Sequence, residues 1–425
     1  MKPAIFLAIL TLLAGFIANA QPYSGNRHTR HRFAQLTLGG DLTLMPGMGN
    51  SSYLNSSGAL SSTSIPTQLT PRLWVGGLHF WGHAEFGVHF PLGGVKFRAN
   101  DALTTTYDPG VETIAKWYPW ALTNTKIRPY LGFSAQPVSF RQQTGESISL
   151  VGPQSWRIAT PLLTGITLMK GNKLLELGIS YNLLQSELRY PVSPTTIATT
   201  KLPPLAISLG YKLMLDTTVG SEKNLQNGKT QETIDKLGKK LNGWFLGIGP
   251  STAWLVGPSE AVAGFPSLKT PLVQGVFADV VAGYYWHRPD LNLNFAWRNI
   301  RTSTDAYGQT LTQNRRSFAI ESTKYFGDYH GFCPFVGPAI SYERLSATLD
   351  GEANSAFSTS FNGFRAGVTA GWDIRPSRLD WFYLRSNLRY FPGLGLDLDS
   401  GQRLGFQQLE VNFIQFVWMI GRRRL

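Results

Sequence analysis

The chain has 425 residues and a formal net charge of +13, with 15% charged residues, 12% aromatic residues and 44 glycines. A typical globular domain has about 25% charged residues, so this composition favours an all-β protein with much apolar surface. Mean hydropathy is −0.09, and no segment after the N-terminus approaches the run of about 18 apolar residues that a membrane helix needs. The sequence therefore argues against a helical membrane protein.

The first 20 residues have the pattern of an export signal. Lys2 supplies a positive start, residues 4–17 an apolar core, and Ala18-Asn19-Ala20 a cleavage site. We expect this signal peptide to be followed by a solvated basic lead-in at 21–32. The only cysteine, Cys333, cannot form an internal disulfide.

Two-faced strands dominate residues 33–215, which we predict to be a first set of eight. The clearest is 174–183, LLELGISYNL, whose odd-numbered positions are apolar and whose even-numbered positions, from Glu176 to Asn182, are small or polar. Strict alternation of this kind is typical of a strand with one oily and one wet face. Related segments occupy 35–44, 71–92 with a turn near Trp81-Gly82, 111–119, 128–140, 157–190 with a turn at Gly171-Asn172, and 205–215.

A polar segment at 216–242 interrupts the pattern, and we predict that it is a linker with a short helix. Residues 243–425 then carry a second set of strands, at 244–254, 272–286, 291–300, 317–326, 335–344, 364–374, 381–391 and 409–420.

The lengths of the connections give an independent signal. Long polar connections alternate with short ones and occupy 46–70, 93–110, 142–155, 189–202, 257–270, 300–316, 346–362 and 392–405. Eight long and seven other connections imply sixteen strands. Long external loops alternating with short periplasmic turns are typical of bacterial outer-membrane barrels, so we predict an antiparallel transmembrane β-barrel.

One hairpin motif occurs in both halves of the chain. Lys116-Trp117-Tyr118 precedes Pro129-Tyr130-Leu131-Gly132, and Lys324-Tyr325-Phe326 precedes Pro334-Phe335-Val336-Gly337. With the export signal and the two-faced strands, this motif resembles the small eight-stranded outer-membrane barrels of Gram-negative bacteria, and most closely barrel proteins of Bacteroidetes-like genomes. The resemblance implies a tandem duplication of an eight-stranded unit.

The sequence leaves the closure of the barrel open. We expect about sixteen strands in one barrel, because small side chains are frequent on the inward face; the alternative is two fused eight-stranded barrels. Sixteen strands would enclose an aqueous channel, whereas eight can be filled by side chains.

A polar cluster on the segment around residue 82 is the candidate for metal or proton chemistry. It consists of His79, His83, Glu85 and His89, all at odd-numbered positions. We expect polar lining here rather than a metal site, because the spacing lacks the tight ligand pairing of zinc motifs; the weaker hypothesis assigns a metal to His79, His83 and His89.

Inward-facing charges are the candidates for lining a pore: Arg298, Arg365, Asp373, Arg385, Asn387 and Arg389 in the second half, and Glu176 and Asn182 in the first. In a wide barrel they would form a basic ladder, and in a narrow one a buried charge network. We predict a passive, mildly anion-favouring pore, with a non-conducting scaffold whose external loops bind partners or surface ligands as the alternative. No catalytic motif occurs, and we expect no enzyme activity, no cofactor and no nucleic acid. The expected partners are outer-membrane lipid and small anionic solutes, with a homo-oligomer or another envelope protein left open.

Overall fold

The structure is a computed structural model. It describes residues 34–47, 50–55, 57–100, 103–122, 127–144, 152, 154–182, 187–193, 196–201, 204–216, 236–256, 273–327, 332–351, 356–375, 381–398 and 403–422. The predicted signal peptide, the basic lead-in and most of the linker at 216–242 lie outside these residues; a 3-10 turn at Gly238–Leu241 lies within them.

Strands form almost all of the described N-terminal half. In chain order they are β1 (Ala34–Met45), β2 (Asn50–Leu54), β3 (Leu60–Ser64), β4 (Gln68–His79), β5 (Ala84–Pro91), β6 (Val95–Asn100), β7 (Leu103–Pro109), β8 (Glu112–Trp117), β9 (Ile127–Thr144), β10 (Ser155–Ala159), β11 (Leu162–Lys170), β12 (Lys173–Tyr181), β13 (Glu187–Pro191), β14 (Ile197–Lys201) and β15 (Leu205–Asp216).

Strands also form the described C-terminal half. They are β16 (Gly243–Leu255), β17 (Val273–Trp286), β18 (Leu291–Ala306), β19 (Gln309–Tyr325), β20 (Phe332–Asp350), β21 (Phe357–Ile374), β22 (Phe382–Tyr390), β23 (Gly395–Asp397), β24 (Arg403–Gly405) and β25 (Gln408–Met419). No helix in the described part of the chain is long and apolar enough to cross a membrane.

Two separate antiparallel barrels result from the pairing of these strands. In the N-terminal barrel, β1, β4, β5, β8, β9, β11, β12 and β15 pair in that order, and β15 closes the ring on β1. In the C-terminal barrel, β16 to β22 and β25 pair in order, and β25 closes on β16. The expectation of one sixteen-stranded barrel is wrong, because the eighth strand of each half pairs with the first strand of the same half; the alternative of two eight-stranded barrels is confirmed.

The faces of the strands are inside out relative to a soluble protein. In β12, Leu175, Leu177 and Ile179 are 44–48% exposed, whereas Glu176 between them is buried. In β18, Phe295 and Trp297 are exposed and the asparagines on the opposite face are buried. An apolar outer band around a polar interior is the arrangement of a transmembrane barrel, so the predicted fold class is confirmed.

Four strands of the C-terminal barrel are longer than the sequence pattern predicts. The expected loops at 300–316 and 346–362 are largely strand, since β18 and β19 are joined by a tight turn at Tyr307-Gly308 and β20 continues to Asp350. β18 to β21 have 16 to 19 residues. A tilted strand needs only about 9–11 residues to cross a bilayer. The excess lies at the barrel end opposite the β17–β18 turn. We call this the external end, a label taken from outer-membrane barrels, and we refer to the β17–β18 and β4–β5 turns, with the others at their end, as the short turns.

The two barrels contact each other near their short turns through aromatic side chains. Phe80 and Phe332 have ring centroids 5.3 Å apart, and Phe86 and Trp372 have centroids 6.1 Å apart. Ala34 is buried in the same apolar cluster. The barrels therefore share an apolar contact outside both interiors.

Candidate functional site in the barrel interiors

Four charged side chains meet at the centre of the N-terminal barrel. Lys116 Nζ lies 2.5 Å from Glu176 Oε1 and 3.5 Å from Glu85 Oε2, and Lys212 Nζ lies 2.8 Å from Glu176 Oε2 and 2.9 Å from Glu85 Oε1. The four residues, here called the central quartet, come from β5, β8, β12 and β15, and all are buried. Two lysines facing two glutamates leave no unpaired charge at this level of the barrel, as a buried site requires.

Aromatic rings enclose the central quartet. Trp74 lies under both lysines, with its ring centroid 3.9 Å from Lys212 Nζ and 5.3 Å from Lys116 Nζ. Tyr118 donates a hydrogen bond of 2.9 Å from its hydroxyl to Glu85. Rings that contact cations in this way add stabilisation where water is excluded, and they also fill the space that a channel would need.

A second charge cluster lies further from the short turns. Arg72 donates two 2.7 Å hydrogen bonds to Asp41 and one of 2.5 Å to Glu112. His89 lies between the same carboxylates, with its ring nitrogens 3.0 Å from Asp41 and 3.4 Å from Glu112. The guanidinium binds Asp41 through two nitrogens and Glu112 through the third, and a lysine could not provide the two-pronged contact with Asp41.

The C-terminal barrel contains a longer series of ion pairs. Nearest the short turns, Arg385 donates hydrogen bonds of 2.8 and 3.1 Å to Asp373. Arg389 is next and pairs with both Asp279 and Glu321.

The series continues toward the external end. Arg298 Nε lies 2.9 Å from Glu410, and Arg315 lies 2.8 Å from the same carboxylate. Arg315 also donates two hydrogen bonds, of 2.8 and 2.9 Å, to Glu343.

The charges of this interior balance. The described buried residues of the C-terminal barrel include five acids and five arginines: Asp279, Glu321, Glu343, Asp373 and Glu410; Arg298, Arg315, Arg375, Arg385 and Arg389. The positive net charge of the chain therefore does not come from these buried groups.

Apolar residues cover the external side of this network. Leu396 of β23 and Leu404 of β24 are 2% exposed and pack in one cluster with Phe391 and Phe406. The guanidinium groups of Arg298 and Arg315 lie 5.5 and 5.7 Å from the ring centroid of Phe391. The β23–β24 hairpin thus packs against β20 and β21 and adds its leucines to the apolar cluster beside the ion pairs.

A small cavity lies in the external half of the N-terminal barrel. Its volume of about 40 Å³ has room for about three water molecules. Apolar residues such as Met45 and Tyr107 line it together with Gln136, Ser180 and Asn182. Asn182 is buried, and its Oδ1 has no hydrogen-bond partner among the described residues.

The structure places most of the predicted pore-lining residues inside the barrels. Arg298, Asp373, Arg385, Asn387 and Arg389 are buried in the C-terminal barrel. They form part of the buried charge network that the sequence allowed for a narrow barrel.

The other three predicted residues have different surroundings. Glu176 belongs to the central quartet. Asn182 lines the small cavity of about 40 Å³. Arg365 is partly exposed, and its guanidinium lies 4.4 Å from the ring centroid of Phe361.

The predicted histidine cluster does not exist as one group. A 3-10 turn at Phe80–Gly82 separates His79 from the rest, and His79 contacts Phe332 of the other barrel, with ring centroids 6.4 Å apart. His83 bonds through Nδ1 to the carbonyl oxygen of Tyr118 in the turn region, where burial lowers its pKa. His89 and Glu85 face the interior in different clusters, and no group of His, Cys, Asp or Glu side chains in the described residues is arranged to hold a metal.

Several interior charges are not predicted by the sequence pattern. Arg315 lies in 300–316, which the pattern predicts to be a loop, and no sequence signal identifies Glu343 and Glu410 as its partners. Alternation alone could have placed Arg315 and Ser317 on one face, but it gives no information on which strand lies opposite.

The repeated hairpin occupies the fourth and fifth strands of each barrel, but its first part differs in orientation. Lys116 faces inward and Lys324 outward, while Tyr118 and Tyr325 both face inward. Both tyrosines donate a hydrogen bond to a buried carboxylate, Glu85 and Asp373 respectively. The duplication therefore stays a prediction.

No protein-family profile matches the sequence, and no curated protein matches it. Among solved structures, the CymD monoaromatic hydrocarbon channel is 10% identical with a TM-score of 0.20, over 91% of this chain and 88% of that one. An outer membrane channel from Pseudomonas putida F1 is 11% identical with a TM-score of 0.23, over 91% and 95%. The P. putida toluene transporter TodX is 8% identical with a TM-score of 0.18, over 92% and 91%. Similarities of this size carry no argument about the function of this chain.

Proposed function

We propose that this chain is an outer-membrane protein whose two barrels both span the membrane, with their short turns in the periplasm and their extended strands outside. The observation that carries the proposal is the inside-out distribution of side chains, with exposed leucines on β12 and a buried glutamate between them. The predicted export signal and the short turns at one end are consistent with this orientation.

Cysteine labelling in intact Gram-negative cells tests this topology. In a Cys333→Ser background, Ser303→Cys on the external part of β18 should react with a membrane-impermeant maleimide. Lys173→Cys, beside the short turn between β11 and β12, should react only after the outer membrane is permeabilised. Equal labelling of both positions in intact cells would exclude the proposed orientation.

We further propose that both barrels are closed to solutes and that the chain works as a membrane scaffold through its external part. The balanced ion pairs support this, because a lumen filled by paired charges and rings leaves no continuous aqueous path. An anion-favouring pore would need unpaired positive charge along such a path. The predicted passive pore would require the ion pairs inside the barrels to separate. We therefore propose the pore only as the second candidate function.

Conductance across planar bilayers distinguishes the two functions. The purified full-length chain should leave the bilayer silent at moderate voltage, because the ion pairs in both interiors would have to separate before ions could pass. Reversal-potential measurements would report any anion preference if openings occurred. Frequent steady openings of the wild-type chain would contradict the closed scaffold and restore the pore.

A further inference from the structure

Three arginines lie close together on the outer wall of the C-terminal barrel. Arg316 of β19 and Arg344 of β20 are directly opposite each other in the strand register. Arg301 of β18 pairs with Asn314, two residues from Arg316, and is therefore its diagonal neighbour. All three are exposed; we call them the outer arginine cluster.

These arginines differ from those inside the barrel in having no acidic partner. No carboxylate of the described residues forms an ion pair with Arg301, Arg316 or Arg344, whereas Arg298, Arg315, Arg385 and Arg389 are all paired. The guanidinium of Arg344 lies 5.6 Å from the ring centroid of Tyr342. Like charges directly opposite on neighbouring strands destabilise a sheet, so a bound anion would relieve their repulsion.

The cluster lies at the external border of the apolar band. Phe318, two residues after Arg316 on β19, is 50% exposed, and Ile340, four residues before Arg344 on β20, is 58% exposed. Trp297 on β18 is 42% exposed. A ligand with an anionic head beside apolar chains would contact the arginines and these side chains together.

We propose that the outer arginine cluster binds the phosphate headgroup of an anionic lipid in the external leaflet, with the acyl chains on Trp297, Phe318 and Ile340. Guanidinium groups bind phosphate oxygens through paired hydrogen bonds, which suits a headgroup held between neighbouring strands. The location in the external leaflet rests on the proposed outer-membrane topology; the phosphate site itself does not.

Lipid retention measured by native mass spectrometry tests the site on the full-length chain in detergent. The probe is phosphatidic acid, with phosphatidylcholine as the zwitterionic comparison. The variant is R316Q/R344Q, and the matched control is K170Q/R288Q, which removes the same charge from exposed positions at the opposite end. We expect the wild type and the control to prefer phosphatidic acid, and R316Q/R344Q to bind it about tenfold more weakly.

Folding is checked by far-ultraviolet circular dichroism, and R316Q/R344Q should fold because both side chains are exposed and unpaired. Equal retention of phosphatidic acid by R316Q/R344Q and the wild type would overturn the proposal. If equimolar inorganic phosphate displaced the lipid, the site would be one for free phosphate, and the proposed binding of a lipid headgroup would be overturned. A failure of the topology would instead appear in the labelling of intact cells, while the difference between variants in detergent would remain.

Discussion

Lys116 contacts two carboxylates that come from different sides of the N-terminal barrel. Replacing it by methionine would leave Glu85 and Glu176 with Lys212 alone. Because an uncompensated buried charge is costly, we expect Lys116→Met to lower the free energy of unfolding by about 3–5 kcal/mol. Urea unfolding in lipid vesicles measures this loss.

Two further variants make that prediction specific. Lys170→Met removes an exposed lysine beside a short turn and should change stability little. Adding Glu176→Gln to Lys116→Met should restore part of the loss, because it removes one of the two competing carboxylates. An unchanged Lys116→Met variant would mean that the central quartet contributes no stability.

The glycine of the repeated hairpin motif lies where neighbouring strands approach closely. A Cβ at Gly132 would be 2.5 Å from the carbonyl oxygen of Ala115, and one at Gly337 would collide with the carbonyl oxygen of Ser322. We expect Gly337→Val to destabilise the C-terminal barrel by about 1–3 kcal/mol, measured by urea unfolding. Ala366→Val, on an exposed position of β21, is the control and should be near neutral; equal effects would contradict the close approach.

The face of individual residues could be predicted from the sequence, but their partners could not. Alternation placed Glu176, Arg385 and Arg389 on the inward face, as the structure has them. Which acid pairs with Arg389 depends on the closure and stagger of the barrel, since Asp279 is 110 residues away in the chain.

Among the elements, β12 shows why membrane strands are predicted well. Its apolar positions form the outer face and its polar positions face the interior, so the alternation is complete. The parts of β18 and β19 near the turn at Tyr307-Gly308 lack an apolar outer face, and their Ser, Thr and Asn residues have the composition of a loop. The sequence pattern therefore stops where the apolar outer face ends, although the strands continue to Ala306 and from Gln309.

The β23–β24 hairpin provides a test at the level of one element. Leu404 is buried in the apolar cover of the C-terminal barrel, and the neighbouring Arg403 is exposed. Leu404→Asp should release the hairpin because a carboxylate cannot be buried there without a partner. Limited proteolysis of the folded protein should then cut within 395–405, whereas Leu60→Asp, the same substitution at an exposed leucine of β3, should resemble the wild type in this segment. Equal resistance of both variants would show that the hairpin is not held by this cover.

At the scale of the whole molecule, strand number was predictable and closure was not. Sixteen membrane strands in two sets follow from alternation and connection lengths. The same strands could form one ring or two, because an edge strand of either set has the same two-faced pattern and no sequence signal selects its neighbour. This choice determines function, since only the single ring would enclose a wide channel.

Disulfide trapping tests the closure directly. In a Cys333→Ser background, L42C/L209C joins directly opposite, exposed positions of β1 and β15, and L246C/W418C does the same for β16 and β25. Oxidation of the membrane-inserted protein should link both pairs. L38C/W418C should stay unlinked, although one sixteen-stranded ring would bring these exposed positions to similar levels of adjacent strands. Efficient linking of L38C to W418C with failure of L42C/L209C would contradict two closed barrels.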